Sequence, residues 1–202
     1  LATATASASA SPGGMTMPPP FLIPAPQQAH YSAGRLILRD GLQILLPTPC
    51  PERVTDIAGV LRDELRAQVG ISAEIVSGET SLSAGAVRLM LTPPVNGAAP
   101  APEAYTLKID RDIEISATDP RGLLWGVQTL LQSIDVSSGQ PSVPCGEISD
   151  APARPWRALM LDPARSFLDL DFLRRTIRVM SACKMNVLHL HLIDDQAWRF
   201  ES

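Results

Sequence analysis

Residues 184–202, KMNVLHLHLIDDQAWRFES, decide how the rest of the chain is interpreted. The stretch begins as an apolar run of β-forming residues, carries His189 and His191 at alternate positions, and ends in the paired carboxylates Asp194 and Asp195. A buried strand has no structural need for so dense a polar cluster, whereas barrel enzymes build their active sites at the C-terminal ends of parallel strands. The stretch therefore predicts a strand that runs into a functional site.

The segment before this stretch predicts a partner for that strand. Residues 158–161 are a short apolar strand ending at Asp162, and Asp169 or Asp171 can cap the helix that follows. Strand, helix and strand over residues 157–195 form a βαβ unit, which requires a parallel sheet with a right-handed crossover. Two strands cannot close such a sheet, so we expect further βα units and a chain that stops inside its second domain. The apolar face of the helix is expected at Phe172, Leu173, Ile177, Met180 and Met185.

Residues 21–135 predict a separate α+β domain. Their alternating and helical periodicities give the order β-β-α-β-β-β-β-α, with helices packed on one face of a mostly antiparallel sheet. The turn Asp40-Gly41 predicts a hairpin between the first two strands, and Arg111-Asp112 predicts another. The predicted segments are strands within 35–47, a helix over 51–70, strands over 71–77 and 86–93, a hairpin over 103–119 and a helix over 121–134.

The flanking segments complete the predicted domain organisation. Residues 1–20 are rich in Ala, Ser and Thr and then Gly and Pro, so they are expected to be disordered. Their small residues fit either a flexible tail or the remnant of a secretory signal, and the second interpretation predicts a periplasmic or secreted protein. Residues 136–155 are polar and proline-rich, which predicts a linker. The second domain, a truncated barrel, then covers residues 156–202.

Composition excludes several classes of function. The chain has 202 residues, and 45% of them are hydrophobic, which is enough for a core. Its net charge is −4 and it has no run of Lys or Arg, which argues against nucleic-acid binding. No segment reaches the roughly 18 consecutive apolar residues of a membrane span. Of the three cysteines, Cys50 and Cys145 could pair, although free thiols are the favoured interpretation. The oligomeric state is not indicated.

Asp162 and Arg165 follow the first strand of the βαβ unit directly. A guanidinium offers a rigid fork of donors that suits vicinal hydroxyls or carboxylates, so Arg165 is a candidate substrate-binding residue. The alternative is an ion pair that only fastens the loop. The position at the C-terminal end of a strand favours the functional interpretation.

The second strand leaves two interpretations open. His189 and His191 could be metal ligands of a barrel hydrolase, but such a site needs ligands from later strands, and none is present in the sequence. Alternatively, Asp194 is a hydrogen-bonding carboxylate in a sugar-sized pocket, with the histidines as support; a structural role is favoured for His189 and left open for His191. Trp198 could stack on a sugar face or pack its loop.

At these residues the chain resembles glycoside hydrolase family 20, the β-N-acetylhexosaminidases. LMLDPARSF (residues 159–167) is similar to the family's first-strand motif, in which Arg follows Leu-Asp by three residues. Residues 180–202, with Lys, Asn, His-x-His and Asp-Asp followed by Gln and an aromatic residue, resemble its second-strand motif. The preceding region, with ATDPRGLLWGVQTLLQ at its last helix, looks like the family's accessory domain.

The resemblance implies a (β/α)8 barrel and a retaining, substrate-assisted hydrolysis of terminal N-acetylhexosaminides, without a cofactor or metal. It makes Arg165 and Asp194 substrate-binding residues, with Asp162, His191 and Asp195 as support. The Asp-Glu pair that orients the acetamido group and donates the proton belongs to a later strand, so residues 1–202 alone are expected to be inactive. A metal-dependent hydrolase and a non-catalytic carbohydrate-binding module remain the alternatives, although residues 21–135 show no aromatic platform.

Overall fold

The computed structural model describes residues 19–78, 84–92, 101–195 and 197–199. The chain divides into two units, residues 1–152 and residues 153–202. Most of the predicted low-complexity start lies outside the described residues. The first unit contains, in chain order, β1 (Gln28–Ile37), β2 (Leu42–Leu46), α1 (Glu52–Val69), β3 (Ala73–Ser77), β4 (Val87–Leu91), β5 (Tyr105–Ile109), β6 (Ile113–Ala117), α2 (Pro120–Gln132) and β7 (Ser142–Asp150).

The strands of the first unit form one seven-stranded sheet in the order β1-β7-β5-β6-β4-β2-β3. The predicted α+β class is confirmed, but the sheet is mixed: β1/β7, β7/β5 and β5/β6 are antiparallel, while β6/β4, β4/β2 and β2/β3 are parallel. β2 and β3 are parallel because α1 is a crossover that returns the chain in the direction of β2. Helical and strand side chains share one core.

Both helices of this unit form where the periodicity predicts them. The buried side chains of α1 are at the expected three- and four-residue spacing, and the helix ends at Gly70. In α2 the Asp119 carboxylate accepts a hydrogen bond from the backbone N–H of Arg121, and Pro120 occupies the first helical position, where its missing N–H costs nothing. Local capping therefore sets the start of α2.

The two predicted hairpins have different outcomes. β5 and β6 pair antiparallel with Leu107 opposite Ile115, so that hairpin is confirmed. The hairpin at Asp40-Gly41 is wrong, because β1 pairs with β7 whereas β2 pairs with β3 and β4. A two-residue type I′ hairpin turn needs positive φ at both positions, and only Gly41 has it. The Asp40 carboxylate instead accepts hydrogen bonds from the backbone N–H and hydroxyl of Ser72.

The predicted linker over residues 136–155 is corrected by the structure. Its central part forms β7, which lies between β1 and β5. Val143 and Ile148 point into the core, but Pro144 and Gly146 interrupt the apolar alternation that would reveal a strand. Pro144 is tolerated because it lies beside the register shift in the β1/β7 pairing, where a ladder donor is not required.

The second unit contains β8 (Ala158–Leu161), α3 (Leu170–Ala182), β9 (Val187–Leu190), β10 (Ile193–Asp194) and β11 (Ala197–Trp198). β8 and β9 pair in parallel, as the βαβ prediction requires, and Asp169 caps α3 by accepting from the backbone N–H of Phe172. The antiparallel pair β10/β11 was not predicted. The burial expected for the apolar face of α3 is wrong for Phe172 and Ile177, which are exposed, since one helix beside two strands covers only part of itself.

Two further expectations concern cysteines and membranes. Cys50, Cys145 and Cys183 are free thiols, and burial raises the pKa of the Cys145 thiol in β7. Among the described helices, none is long and apolar enough to cross a membrane.

Candidate functional site

The candidate site lies where β8 and β9 end. The two strands are parallel with Leu161 opposite Leu190, so their C-terminal ends reach the same edge. Backbone hydrogen bonds continue beyond the ladder, from the His191 N–H to the Leu161 carbonyl at 2.9 Å and from the Ala164 N–H to the His191 carbonyl at 3.1 Å. The loop after β8 is thereby fastened to the end of β9.

Arg165 forms a fork between two carboxylates from different strand ends. Its Nη1 lies 2.7 Å from Oδ2 of Asp162, and its Nη2 lies 2.5 Å from Oδ2 of Asp194. The backbone N–H of Arg165 also donates to Oδ1 of Asp162 at 3.1 Å. The Arg165 side chain is nevertheless 59% exposed, whereas that of Asp194 is 17% exposed. The guanidinium is therefore both fixed in direction and accessible.

Asp194 joins the other groups of the cluster. Its Oδ2 lies 3.0 Å from Nε2 of His191, and its Oδ1 accepts the backbone N–H of Asp195 at 2.7 Å. The N–H of Asp195 is the main cause that holds the pKa of Asp194 below its usual range, followed by the His191 hydrogen bond and the Arg165 charge. The structure thus brings Arg165, Asp162, Asp194 and His191 together, with Asp195 contributing its backbone.

The remaining charges of the cluster are also stabilised. Hydrogen bonds from the backbone and side chain of Arg165 hold the pKa of the Asp162 carboxyl below its usual range. The Asp162 hydrogen bond and the Asp194 charge raise the pKa of Arg165. Two carboxylates and one guanidinium therefore stay ionised side by side. Such a set can donate to and accept from the hydroxyls of one neutral polyol, because the guanidinium supplies donors and the carboxylates supply acceptors.

The two predicted histidines have different surroundings. His191 contacts Asp194, whereas His189 lies opposite Met160 in the β8/β9 register and its side chain is not part of the described cluster. Within the described ranges no group of three or more His, Cys, Asp or Glu side chains is placed to hold a metal ion.

The segment after the cluster makes contacts that the sequence pattern does not specify. Trp198 lies opposite Ile193 in the β10/β11 pair and is 59% exposed. Arg199 directs its guanidinium at the backbone of Pro163 and Ala164. The Asp194-Asp195 pair between β-forming residues is a turn signal that could have indicated the short hairpin.

Comparison with known families gives two matches that follow each other along the chain. The sequence model described as "Glycosyl hydrolase family 20, domain 2" matches residues 19–151, and that described as "Glycosyl hydrolase family 20, catalytic domain" matches residues 155–202. The boundary between the two matches falls close to the boundary between the two structural units.

Individual relatives are similar over most of this chain. A beta-hexosaminidase of Porphyromonas gingivalis is 35% identical over 89% of the chain and 23% of its own length, and an N,N'-diacetylchitobiase of Vibrio harveyi is 33% identical over 89% and 19%. The solved structure of a Streptomyces plicatus N-acetyl-beta-hexosaminidase has a TM-score of 0.74 at 30% identity, over 88% of this chain and 35% of that one. The first two curated relatives are spanned over 25% and 23% of their length.

Proposed function

This chain belongs to glycosyl hydrolase family 20, and we propose that the protein containing it is an exo-β-N-acetylhexosaminidase. It removes terminal β-linked N-acetylglucosamine or N-acetylgalactosamine. Residues 19–151 serve as the accessory domain and residues 155–202 as the first strands of a (β/α)8 barrel. The observation that carries this proposal is the exposed guanidinium of Arg165, held between Asp162 and Asp194 at the ends of two adjacent parallel strands.

In this proposal Arg165 binds hydroxyls of the non-reducing terminal sugar. Its direction is set before binding by two carboxylates, so little side-chain entropy remains to be lost when a sugar is bound. Asp194 accepts a hydroxyl proton in a hydrogen bond from the same sugar, while His191 and the Asp195 N–H hold that carboxylate in place. Asp162 and His191 are thus positioning groups, and the cluster recognises a neutral ligand by complementary donors and acceptors.

The proposed chemistry is a retaining hydrolysis in which the substrate supplies the nucleophile. The acetamido oxygen of the bound sugar attacks its anomeric carbon, and the glycosidic oxygen leaves as it takes a proton from a general acid. Water then opens the cyclic intermediate and returns a proton to the same group. Neither of the described parallel strands, β8 and β9, ends in an Asp-Glu pair, so this proposal assigns the acid to a strand outside residues 1–202.

The substrate class and location are proposals of the same kind. One similar protein is named an N,N'-diacetylchitobiase, and a similar structure is that of a chitobiase from Flavobacterium johnsoniae, at 31% identity over 90% of this chain. We therefore propose β-linked N-acetylglucosamine of chitin oligosaccharides as a substrate. The Ala- and Ser-rich start of the chain supports export to the periplasm or medium. Intact-mass measurement of the mature protein tests the location.

The test of the function is the hydrolysis of a chromogenic N-acetyl-β-glucosaminide by the whole protein. We expect Arg165→Ala to lower kcat/KM by about 10- to 100-fold, because hydrogen bonds from a charged donor to the sugar are lost. Arg174→Ala is the matched control: Arg174 is an exposed arginine of the same unit that pairs only with Asp171 across one helical turn in the described contacts. Equal activity of the two variants contradicts the role of Arg165.

Two further measurements separate the alternatives. Residues 1–202 alone are expected to give no hydrolysis, and measurable turnover by them contradicts the assignment of the general acid to another part of the domain. Stoichiometric zinc in the whole protein by elemental analysis, with activity lost on its removal, favours the metal-dependent hydrolase instead.

A further inference from the structure

Arg199 follows the predicted site residues, and its side chain turns back to the loop that carries Arg165. Its Nε donates to the Pro163 carbonyl at 3.0 Å and its Nη2 donates to the Ala164 carbonyl at 3.3 Å. Its backbone N–H donates to the Leu192 carbonyl at 3.1 Å, which holds Arg199 beside the end of β9. One side chain therefore joins the segment after β11 to the loop after β8.

The two carbonyls that Arg199 binds are the two that directly precede Arg165. Pro163 and Ala164 are both buried, and Ala164 is only 1% exposed. Buried backbone carbonyls need a donor, and the planar guanidinium can satisfy two consecutive carbonyls with two N–H groups in fixed geometry. A lysine ammonium cannot reproduce this, because it is a point charge on a flexible stem.

Arg199 also contacts the loop on the other side of Arg165. Its Cζ lies 5.5 Å from the centroid of the Phe167 ring, within the range of a cation–π interaction. The Phe167 ring is otherwise 73% exposed. The loop is thus held immediately before and two residues after Arg165.

We infer that Arg199 is a positioning residue that sets the backbone on both sides of Arg165. The guanidinium of Arg165 reaches Asp162 and Asp194 together from the backbone position that the structure shows, and Arg199 helps to maintain that position. Arg199 acts through the protein backbone and needs no contact with the sugar. The inference rests on the proposed function, because the consequence of displacing Arg165 is weaker substrate binding.

The test uses the whole enzyme and a chromogenic N-acetyl-β-glucosaminide. We expect Arg199→Met to lower kcat/KM by about 10-fold or more, mainly through KM, because a small displacement of a binding group weakens the contacts that it makes. Arg199→Lys should give a smaller loss, since one donor and the charge near Phe167 remain. Arg174→Met, which removes an exposed arginine from α3, is the matched control and should leave kcat and KM unchanged.

A double-variant cycle separates positioning from a purely structural role. If Arg199 acts through Arg165, Arg199→Met in the Arg165→Ala background causes no additional loss, whereas independent effects multiply. The inference is overturned if the two losses in kcat/KM multiply in the double variant. It is also overturned if Arg199→Met leaves KM unchanged while Arg165→Ala impairs the enzyme. If Arg199→Met does not fold, the same cycle with Arg199→Lys decides. If the wild-type enzyme does not hydrolyse the substrate, the proposed function is wrong. That result is distinct from both outcomes of the double-variant cycle, which require an active wild type.

Discussion

The two units of the chain are stabilised in different ways. In the first unit, side chains from both helices and from strands across the sheet form one core, and many of them are fully buried. In the described part of the second unit, buried residues are few: Pro163, Ala164, Met180 and Lys184. The first unit is thus stabilised mainly by apolar burial, whereas polar contacts around the strand ends hold the described part of the second unit together.

The difference corresponds to the proposed roles of the units. A domain whose core is complete can act as a fixed support. The second unit has exposed apolar residues on α3 and on its strands, including Leu170, Ile177 and Val179. Parallel sheets are normally covered on both faces, so in the proposed barrel these residues pack against further βα units.

The largest expected effect is a core truncation in the first unit. Ile115 is fully buried in β6, so Ile115→Ala should lower the free energy of unfolding of that unit by about 2–5 kcal/mol. Ile177→Ala is the matched control. When both variants are made in residues 1–202 alone, where Ile177 is exposed, its effect should stay within about 0.5 kcal/mol. Amide hydrogen exchange, measured residue by residue in each unit, gives both values. Similar losses at the two sites contradict the contrast in burial.

Two helical glycines of the first unit should respond in opposite directions. A methyl group at Gly126 in α2 would overlap the Ile115 side chain, so Gly126→Ala should destabilise the unit by about 1–3 kcal/mol. A methyl group at Gly59 in α1 meets nothing within 4 Å, and Gly59→Ala should stabilise by up to about 1 kcal/mol. Urea unfolding followed by circular dichroism measures the difference. Equal signs for the two variants mean that α2 does not pack this closely on β6.

The cap of α3 tests how far the second unit depends on local interactions. Asp169→Ala removes the acceptor 2.6 Å from the backbone nitrogen of Phe172 and should cost about 1 kcal/mol of helix stability. Asp171→Ala, which removes an exposed ion pair with Arg174 and a first-turn carboxylate but no capping hydrogen bond, should cost less than the loss of the cap. NMR chemical shifts and exchange rates over residues 170–182 report the fraction of helix. If α3 is unaffected by loss of the cap, tertiary packing rather than capping determines it.

The smallest expected effect is the pH dependence of the Asp194 cluster. Because the folded-state pKa of Asp194 is lowered, its contribution to stability is present above the ordinary aspartate pKa of about 4 and is lost as pH falls through the lowered value. The difference in melting temperature between the wild type and Asp194→Asn should therefore be constant near neutral pH and shrink in acid. Asp195→Asn keeps the backbone N–H that Asp194 accepts and is the control. A difference that grows in acid contradicts the lowered pKa.

Sequence reasoning succeeded where neighbours along the chain carry the information. The spacing of Val54, Ile57 and Leu61 predicts α1, and the alternation in residues 103–119 predicts the β5/β6 hairpin, because each pattern is complete within one or two adjacent segments. The βαβ unit is also a local pattern, and its parallel strands place Asp162 and Asp194 at the same edge. Its ion pairs could then be expected from charge alone.

Sequence reasoning failed where distant segments decide the outcome. Asp40-Gly41 has the composition of a hairpin turn, but hydrogen bonds to Ser72 hold it in another arrangement. Residues 142–150 look irregular, yet partners on both sides complete a strand there. The contacts of Arg199 with Pro163 and Ala164 join residues that are 36 and 35 positions apart, and no local pattern marks them.

The sequence by itself determined the class of the first domain, the βαβ unit of the second, the family resemblance and the candidate residues Arg165 and Asp194. Periodicity, caps and short motifs are local properties, and they are therefore visible in the chain. The tertiary structure alone decided the order and mixed direction of the strands, the place of β7, and the support of Arg165 by Arg199. These features depend on hydrogen bonds between segments that are far apart in sequence, and such pairings are selected only when the whole fold forms.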